Sequence, residues 1–157
     1  MSVPPFQEFL DANRSTVYRF LVAAVGAGDA DDCFQETFLS ALRAYPRLSD
    51  GARLDRWVLR IASRKALDHH RAHAGRAVPT EGLPDLALEG GTPDAATDDE
   101  LWGAVRSLPP KQRVAVVHRL VLDRPYKEIA EVMGTTEEAA RANVHAGVRK
   151  LKEMVKP

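Results

Sequence analysis

Arginine, asparagine, histidine and lysine recur within one short stretch near the end of the chain. The residues are Arg141, Asn143, His145, Arg149 and Lys150. A guanidinium can donate two hydrogen bonds to guanine, a carboxamide can pair in the same way with adenine, and lysine suits phosphates. These residue types therefore indicate contact with the base edges and backbone of DNA. Charges on the solvated face of an ordinary helix are the alternative interpretation of the same pattern.

A helix-turn-helix is the local structure that would position these side chains. A short helix is predicted from Tyr126 to Met133, and the turn Gly134-Thr135-Thr136 separates it from a helix that continues to about Val155. Thr135 followed by Glu138 fits a capping box at the start of that long helix. The spacing places an apolar stripe on its inner face, formed by Ala140, Val144, Val148, Leu151 and Val155. Such a motif presents the N-terminal half of its second helix to the major groove, and a plain helical hairpin is the alternative.

Helical periodicity extends through the rest of the chain, on both sides of a segment rich in proline, glycine and acids. In the first half the pattern predicts a helix from about Phe6 to Val25 and a second, capped by Asp29, that ends near Tyr45. A third helix carries its apolar residues on one buried face, namely Leu54, Trp57, Val58 and Ile61. In the second half, a short helix from Leu101 to Leu108 precedes one whose first residue is Pro110.

These elements predict an all-α protein of two helical domains joined by a flexible acidic linker. The first domain would span residues 1–77, the linker 78–98, and the second domain, which contains the helix-turn-helix, residues 99–157. Residues 79–104 contain acids but no lysine or arginine, although the net charge of the whole chain is zero. The basic residues are thus concentrated in the two domains, and the balanced total does not exclude a nucleic-acid partner.

Metal binding and catalysis find little support in the remaining residues. Cys33 is the single cysteine, which excludes an intramolecular disulfide and a zinc site built from thiols. His69 and His73 are spaced to share a helix face, but they lack the glutamate of a metalloprotease pattern, and the chain has no Gly-rich phosphate loop. We expect no cofactor, no metal and no enzymatic activity. Without a signal sequence or a long apolar run, the chain is predicted to be cytoplasmic and not inserted in a membrane.

Two sets of motifs resemble bacterial RNA polymerase sigma factors, and they occur in the order in which that family has them. Residues 29–42 and 57–71 resemble region 2, whereas residues 108–117 and 124–134 resemble region 4. No separate region 3 domain is evident between them. This architecture is similar to that of the small extracytoplasmic-function group. The resemblance implies that the chain binds core RNA polymerase, directs it to promoters and is controlled by an anti-sigma factor.

The resemblance also implies roles for individual residues of region 2. On the second helix, the positions that match the polymerase-binding surface of the family are Asp32, Gln35, Glu36 and Leu39. Phe38 also matches, but its place on the apolar stripe favours burial. An interaction with the positive end of the helix dipole is the alternative role for Asp31 and Asp32. On and before the third helix, the candidates for binding and opening the minus-10 element are Arg53, Arg56, Arg60, Arg64, Lys65 and Arg71. Trp57 is expected to pack in the core.

Region 4 would read the minus-35 element, and its candidates are Thr136, Arg141, Asn143, His145, Arg149 and Lys150. The sequence departs from the common family pattern at Arg64, where many members have asparagine, and at Asn143 and Ala146, where many have arginine. These departures leave base preference open at both elements. They also motivate a second hypothesis, a sigma-like DNA-binding regulator or interaction module that does not initiate transcription.

Overall fold

A computed structural model describes residues 3–49, 53–74 and 95–155. Its helices are α1 (Phe6–Val25), α2 (Ala27–Ala44), α3 (Leu54–Ala74), α4 (Ala95–Arg106), α5 (Pro110–Val116), α6 (Tyr126–Met133) and α7 (Glu137–Met154). A 3₁₀ turn, Tyr45–Arg47, follows α2, and a π-helical turn, Val117–Val121, follows α5. These residues contain no β-strand, so the prediction of an all-α fold is confirmed. Most of the predicted linker lies outside the described residues.

Helices α1, α2 and α3 pack against one another and form the first unit. An aromatic cluster lies at one end of this unit, where the ring of Phe9 is 5.9 Å from Phe38, 5.2 Å from Tyr45 and 5.6 Å from Trp57, measured between centroids. Phe9 is 1% exposed and Phe38 is 7% exposed. The predicted burial of Phe38 and packing of Trp57 are therefore confirmed. These rings hold α1, α2 and α3 at a fixed distance from one another.

The start of α2 differs from the prediction that Asp29 caps this helix. The helix begins at Ala27, and Gly26, with φ of 94°, is its N-cap residue. The positive φ of Gly26 reverses the chain within one residue, which leaves Asp29 inside the first turn of the helix. Cys33 lies on the inner face of α2 and is 4% exposed. Burial, with smaller contributions from Glu36 and other nearby carboxylates, raises the pKa of its thiol to about 11.

Helices α4 to α7 form the second unit, in which α6, its turn and α7 make the predicted helix-turn-helix. Helix α4 begins at Ala95, six residues before the predicted start at Leu101. Gly134 ends α6 in the left-handed conformation, with φ of 67°. The cap of α7 is Thr136, whose side-chain oxygen accepts a hydrogen bond of 3.0 Å from the Ala139 N–H. The predicted cap at Thr135 is wrong by one residue, because the N–H of Thr135 bonds to the carbonyl of Ala130 and completes the turn.

Gly147 lies where α7 packs closely against α5. A methyl group at this position would lie 2.5 Å from Cγ2 of Val116, a stiff and buried side chain. We expect Gly147→Ala to lower the free energy of unfolding by about 1–3 kcal/mol, because overpacking outweighs the better helix propensity of alanine. Gly103→Ala in α4 is the matched control, since nothing lies within 4 Å of its added methyl group. Thermal denaturation of both variants measures the difference, and equal stability would contradict the close approach.

The two units pack directly against each other. Helix α3 contacts α5 and α6, while α1 contacts α4 and the π-helical turn. The buried core is accordingly continuous across the contact, which we call the seam, and it joins Phe20 and Leu59 of the first unit to Leu108 and Val117 of the second. The sequence predicts two domains connected by a linker but gives no indication of this shared core.

Candidate nucleic-acid and polymerase interface

The predicted polymerase-binding residues form one exposed face of α2. Asp32, Gln35, Glu36 and Leu39 follow the spacing i, i+3, i+4 and i+7, and all four are exposed. Neighbouring acids are engaged elsewhere: Asp31 accepts a hydrogen bond of 3.1 Å from the Tyr18 hydroxyl, and Asp29 lies 3.2 Å from the ring of His69. Leu42, whose four-residue spacing from Phe38 predicts burial, is instead 48% exposed and extends the same face by one turn. The result is a surface with acids at one end and leucines at the other.

The candidates for minus-10 binding do not all have the same surroundings. Arg53, Arg60, Arg64 and Arg71 are exposed, and Lys65 is half-buried. Arg60, Arg64 and Arg71 line one wall of a cleft of about 540 Å³, and the end of α6, from Val132 to Gly134, lines the other wall. The exception is Arg56, whose guanidinium turns towards the second unit and pairs with two glutamates of α6. Five of these six residues thus remain at least partly accessible, and three of them line the same cleft.

The candidates for minus-35 binding lie along the outer side of α7 and at its start. Arg141, His145, Arg149 and Lys150 are exposed, whereas Asn143 is half-buried. Thr136 is exposed but its side chain caps the helix. The predicted inner stripe is present, since Ala140, Val144 and Leu151 are at most 7% exposed and Val148 and Val155 are partly buried. The helix-turn-helix therefore turns its polar residues away from its own core.

Arg141 is held by an aromatic ring. Its guanidinium carbon lies 4.7 Å from the centre of the Tyr126 ring, and that of Arg119 lies 4.5 Å from the same centre. Glu137, one turn earlier, is 3.7 Å from the Arg141 guanidinium. Tyr126 thus places two cations beside the N-terminal half of α7 by cation–π attraction. Arg119 and Tyr126 were not among the predicted residues, although an aromatic residue at the start of the first helix of the motif was the available signal.

One buried histidine belongs to neither set of candidates. His118, in the π-helical turn, is fully buried at the seam, where its ring stacks on Phe20 with centroids 4.5 Å apart. Its Nε2 lies 2.7 Å from the hydroxyl of Ser63 on α3. Burial, with a smaller contribution from Arg124, lowers the pKa of His118 to about 3. The imidazole is therefore neutral at physiological pH.

Metal ligands do not gather anywhere in the described parts of the chain: no three His, Cys, Asp or Glu side chains there could share an ion. His69 contacts Asp29, and the side chain of His73 lies outside the described residues. Within the same described residues, no helix has both the length and the apolar composition needed to span a bilayer.

Comparisons with known proteins agree with the motifs in both units. The family model described as Sigma-70 region 2 matches residues 9–76, and the model described as Sigma-70, region 4 matches residues 98–151. The RNA polymerase sigma factor CarQ of Myxococcus xanthus is 33% identical over 160 residues, which cover 96% of this chain and 88% of CarQ. The ECF RNA polymerase sigma factor SigD of Mycobacterium tuberculosis is 33% identical over 162 residues, 95% of this chain and 76% of SigD.

The chain belongs to the extracytoplasmic-function sigma factors. As a sigma factor it is a DNA-binding initiation factor that directs core RNA polymerase to promoters. Its fold is similar to that of the sigma factor RpoE, solved with the anti-sigma factor NepR from Bartonella quintana, with a TM-score of 0.77, 18% identity and coverage of 95% of both chains. SigJ of Mycobacterium tuberculosis, 29% identical, gives a TM-score of 0.63 over 94% of this chain and 54% of SigJ.

Proposed function

We propose that this sigma factor divides its contacts among three surfaces, each defined above by exposed side chains. The α2 face formed by Asp32, Gln35, Glu36 and Leu39 binds core polymerase. The accessible residues of α3 bind the minus-10 element, and α7 reads the minus-35 element. The observation that supports this division best is the separation of charge, since the acids of α2 and the arginines of α3 and α7 lie on different helices.

The contact with polymerase combines charge and apolar area. Asp32 and Glu36 complement a basic partner surface, and they are free to do so because neither carboxylate has a partner among the described hydrogen bonds and ion pairs. Leu39, 47% exposed, and Leu42 supply apolar area beside them. An exposed pair of leucines next to charged residues is typical of a surface that another protein covers.

To contact the opened minus-10 element, the protein must hold a single strand of DNA. Guanidinium groups do this by pairing with phosphates and by stacking on bases. Arg53, Arg60, Arg64, Lys65 and Arg71 are available for this role as the structure stands, and Arg56 joins them when its present partners release it. Arg64 is exposed, and its long side chain favours contact with phosphate over the base readout that asparagine would supply.

The contact with the minus-35 element is centred on Arg141, with His145, Arg149 and Lys150 along the same side of α7. Asn143 is half-buried, so its side chain extends less far towards DNA than the arginine that is common at this position. Arg119 and Tyr126 extend the surface beyond the residues that the sequence suggested. Because the recognition helix carries few cations and starts with Glu137 and Glu138, its affinity for DNA without polymerase is low and sensitive to salt.

This proposal includes three statements about the whole protein. The sigma factor performs no covalent chemistry itself, it acts in the cytoplasm, and an anti-sigma factor covers its binding surfaces until it is needed. RpoE was solved in complex with the anti-sigma factor NepR, and CnrH, at a TM-score of 0.66 and 17% identity, was solved with the cytosolic domain of CnrY.

Run-off transcription with core polymerase tests the proposal. The purified protein, free of other sigma factors, is expected to produce a discrete transcript from a promoter that it selects from a genomic library. Co-elution with core polymerase on size exclusion is the accompanying measurement. Binding to DNA without initiation would instead identify the chain as a sigma-like regulator.

Arg141→Ala is expected to weaken use of the minus-35 element at least fivefold. A guanidinium contact with a base edge is worth about 1–3 kcal/mol, and the loss of Arg141 removes it without disturbing the core. The affinity for core polymerase is expected to stay within about twofold of the parent protein, because the proposal assigns polymerase binding to α2 and not to α7. Run-off transcription and fluorescence anisotropy measure the two quantities.

Lys111→Ala provides the control for this substitution, since Lys111 is an exposed cation of the same unit that lies outside α7. It removes the same charge and is expected to leave minus-35 use unchanged. A loss of polymerase affinity that matches the loss of transcription would contradict the role of Arg141 in DNA binding.

A further inference from the structure

Arg56 is a minus-10 candidate whose charge is paired with carboxylates of the second unit, whereas the ion pair of Arg71 is an exposed one with Asp68 on its own helix. Its NH2 group lies 2.7 Å from Oε2 of Glu128, and its NH1 group lies 2.8 Å from Oε1 of Glu131. Both glutamates belong to α6 in the second unit. The side chain of Arg56 is only 18% exposed as a result. The two bonds engage two of the five N–H donors of Arg56, and the carboxylates neutralise the charge that would attract a phosphate.

A second arginine crosses the seam in the opposite direction. The NH1 group of Arg124, which precedes α6, lies 3.1 Å from Asp55 on α3 and 3.1 Å from Glu128. Glu128 therefore bridges Arg56 and Arg124. Together these side chains form a charge network of two arginines and three carboxylates, which we call the latch, composed of Asp55, Arg56, Arg124, Glu128 and Glu131. The network joins residues of both units and lies at the start of the basic face of α3.

The second unit also faces the rest of the minus-10 surface. The cleft lined by Arg60, Arg64 and Arg71 has the end of α6 as its opposite wall. A methyl group added to Gly134 would lie 3.6 Å from the guanidinium of Arg60. A strand of DNA that followed the basic face of α3 from Arg71 towards Arg56 would therefore meet α6. In the described arrangement the second unit occupies that end of the surface.

The composition of the seam allows the two units to separate. Besides apolar residues it contains the Ser63–His118 hydrogen bond and the Arg113 guanidinium, which donates to the carbonyl of Ala24 at 3.2 Å. Water can hydrate each of these groups when the seam opens. The free energy of opening is therefore smaller than it would be for a purely apolar core. The seam thus combines a shared apolar core with polar groups that water can satisfy once the units separate.

We propose that this closed arrangement is an autoinhibited state of the free sigma factor, in which the latch withholds Arg56 and part of the minus-10 surface from DNA. The proposal rests on the proposed function, because it assumes that α3 binds the minus-10 element. Glu128 and Glu131 take the place of promoter phosphates on Arg56, so closure and full minus-10 contact exclude each other. Opening of the seam exposes the complete basic face of α3.

A double variant of the latch tests the proposal on the full chain. Glu128→Gln with Glu131→Gln removes both carboxylates from Arg56 with little change in shape. Glu100→Gln with Glu153→Gln is the matched control, because it removes two exposed glutamates of the same unit that lack a described ion pair. Small-angle X-ray scattering reports the separation of the units, and anisotropy with short, fluorescein-labelled single-stranded DNA of mixed sequence reports binding. Circular dichroism verifies that each variant keeps its helices.

The expected result is a larger radius of gyration for the latch variant than for the control, and single-stranded DNA affinity at least threefold higher than that of the control. Arg56→Ala provides a second route to opening: it is expected to enlarge the radius of gyration in the same way but to give less gain in DNA affinity. Equal radii for the latch variant and the control would overturn the proposal, as would equal DNA affinities. Neither measurement uses polymerase, so failure of the protein to initiate transcription is a separate outcome.

Discussion

Acidification from about pH 7 to pH 5 is expected to lower the free energy of unfolding by about 2 kcal/mol through His118 alone. In the folded protein burial lowers the pKa of His118 to about 3, whereas in the unfolded chain the group returns to its ordinary value near 6.5. Between these values the unfolded chain binds one more proton than the folded protein. The contribution is therefore fully present above about pH 6.5 and decreases as the pH falls below it. Urea denaturation over this pH range measures the effect.

His118→Gln separates this contribution from that of other titrating groups. Glutamine can still bond to the Ser63 hydroxyl but cannot ionise, so the dependence of stability on pH should become weaker by about 1.4 kcal/mol per pH unit at the acidic end of the range. The charged and polar groups that face His118 are Arg124 and Ser63. His145→Gln, at an exposed position of α7, is the control for the replacement of a histidine by glutamine. Identical slopes for the parent and His118→Gln would contradict the burial of a neutral imidazole.

Reversal of charge on the α2 face is expected to weaken binding to core polymerase more than tenfold. Asp32→Lys with Glu36→Lys replaces two carboxylates by two ammonium groups opposite a basic partner, and juxtaposed like charges cost several kcal/mol. Both residues lie beyond the first turn of α2, where the helix dipole has little effect, so the fold should remain intact. Anisotropy titration with core polymerase measures the affinity, and thermal denaturation measures the stability.

Glu100→Lys with Glu153→Lys makes the same change in net charge away from α2 and serves as the control. It should leave polymerase affinity within about twofold of the parent, since only local charges act across an interface at physiological salt. If both double variants lost affinity to the same extent, net charge and not the α2 face would determine binding. If neither lost affinity, Asp32 and Glu36 would lie outside the interface.

Most of the helices could be predicted from the local sequence, because residues at their ends are typical of helix starts and stops. Pro125 opens α6 and Gly134 closes it, and the predicted bounds of α1 and α6 agree with the structure. Two errors in the caps arise where another residue within one turn can also begin the helix. Asp29 and Thr135 are good caps by type, but the chain turns earlier at Gly26 and one residue later at Thr136. A single sequence cannot decide between such neighbours, since the choice depends on which backbone N–H groups remain free.

The seam could not be predicted for a different reason. Arg56 bonds to residues 72 and 75 positions away in the chain, and nothing in the local pattern distinguishes it from the exposed Arg60 one turn later. His118 likewise follows an apolar run without any sign that it would be fully buried. The face of α2 was identified through the family resemblance, and the spacing of its residues within one helix agrees with their exposure.

The burial of Cys33 makes the sigma factor convenient to label. A thiol that is 4% exposed, and whose pKa is about 11, supplies almost no thiolate to a maleimide at neutral pH. A cysteine introduced at an exposed position would therefore react alone, without prior replacement of the native residue. Pairs of dyes attached in this way, one on each unit, would report the distance between the units in single molecules during a transcription cycle.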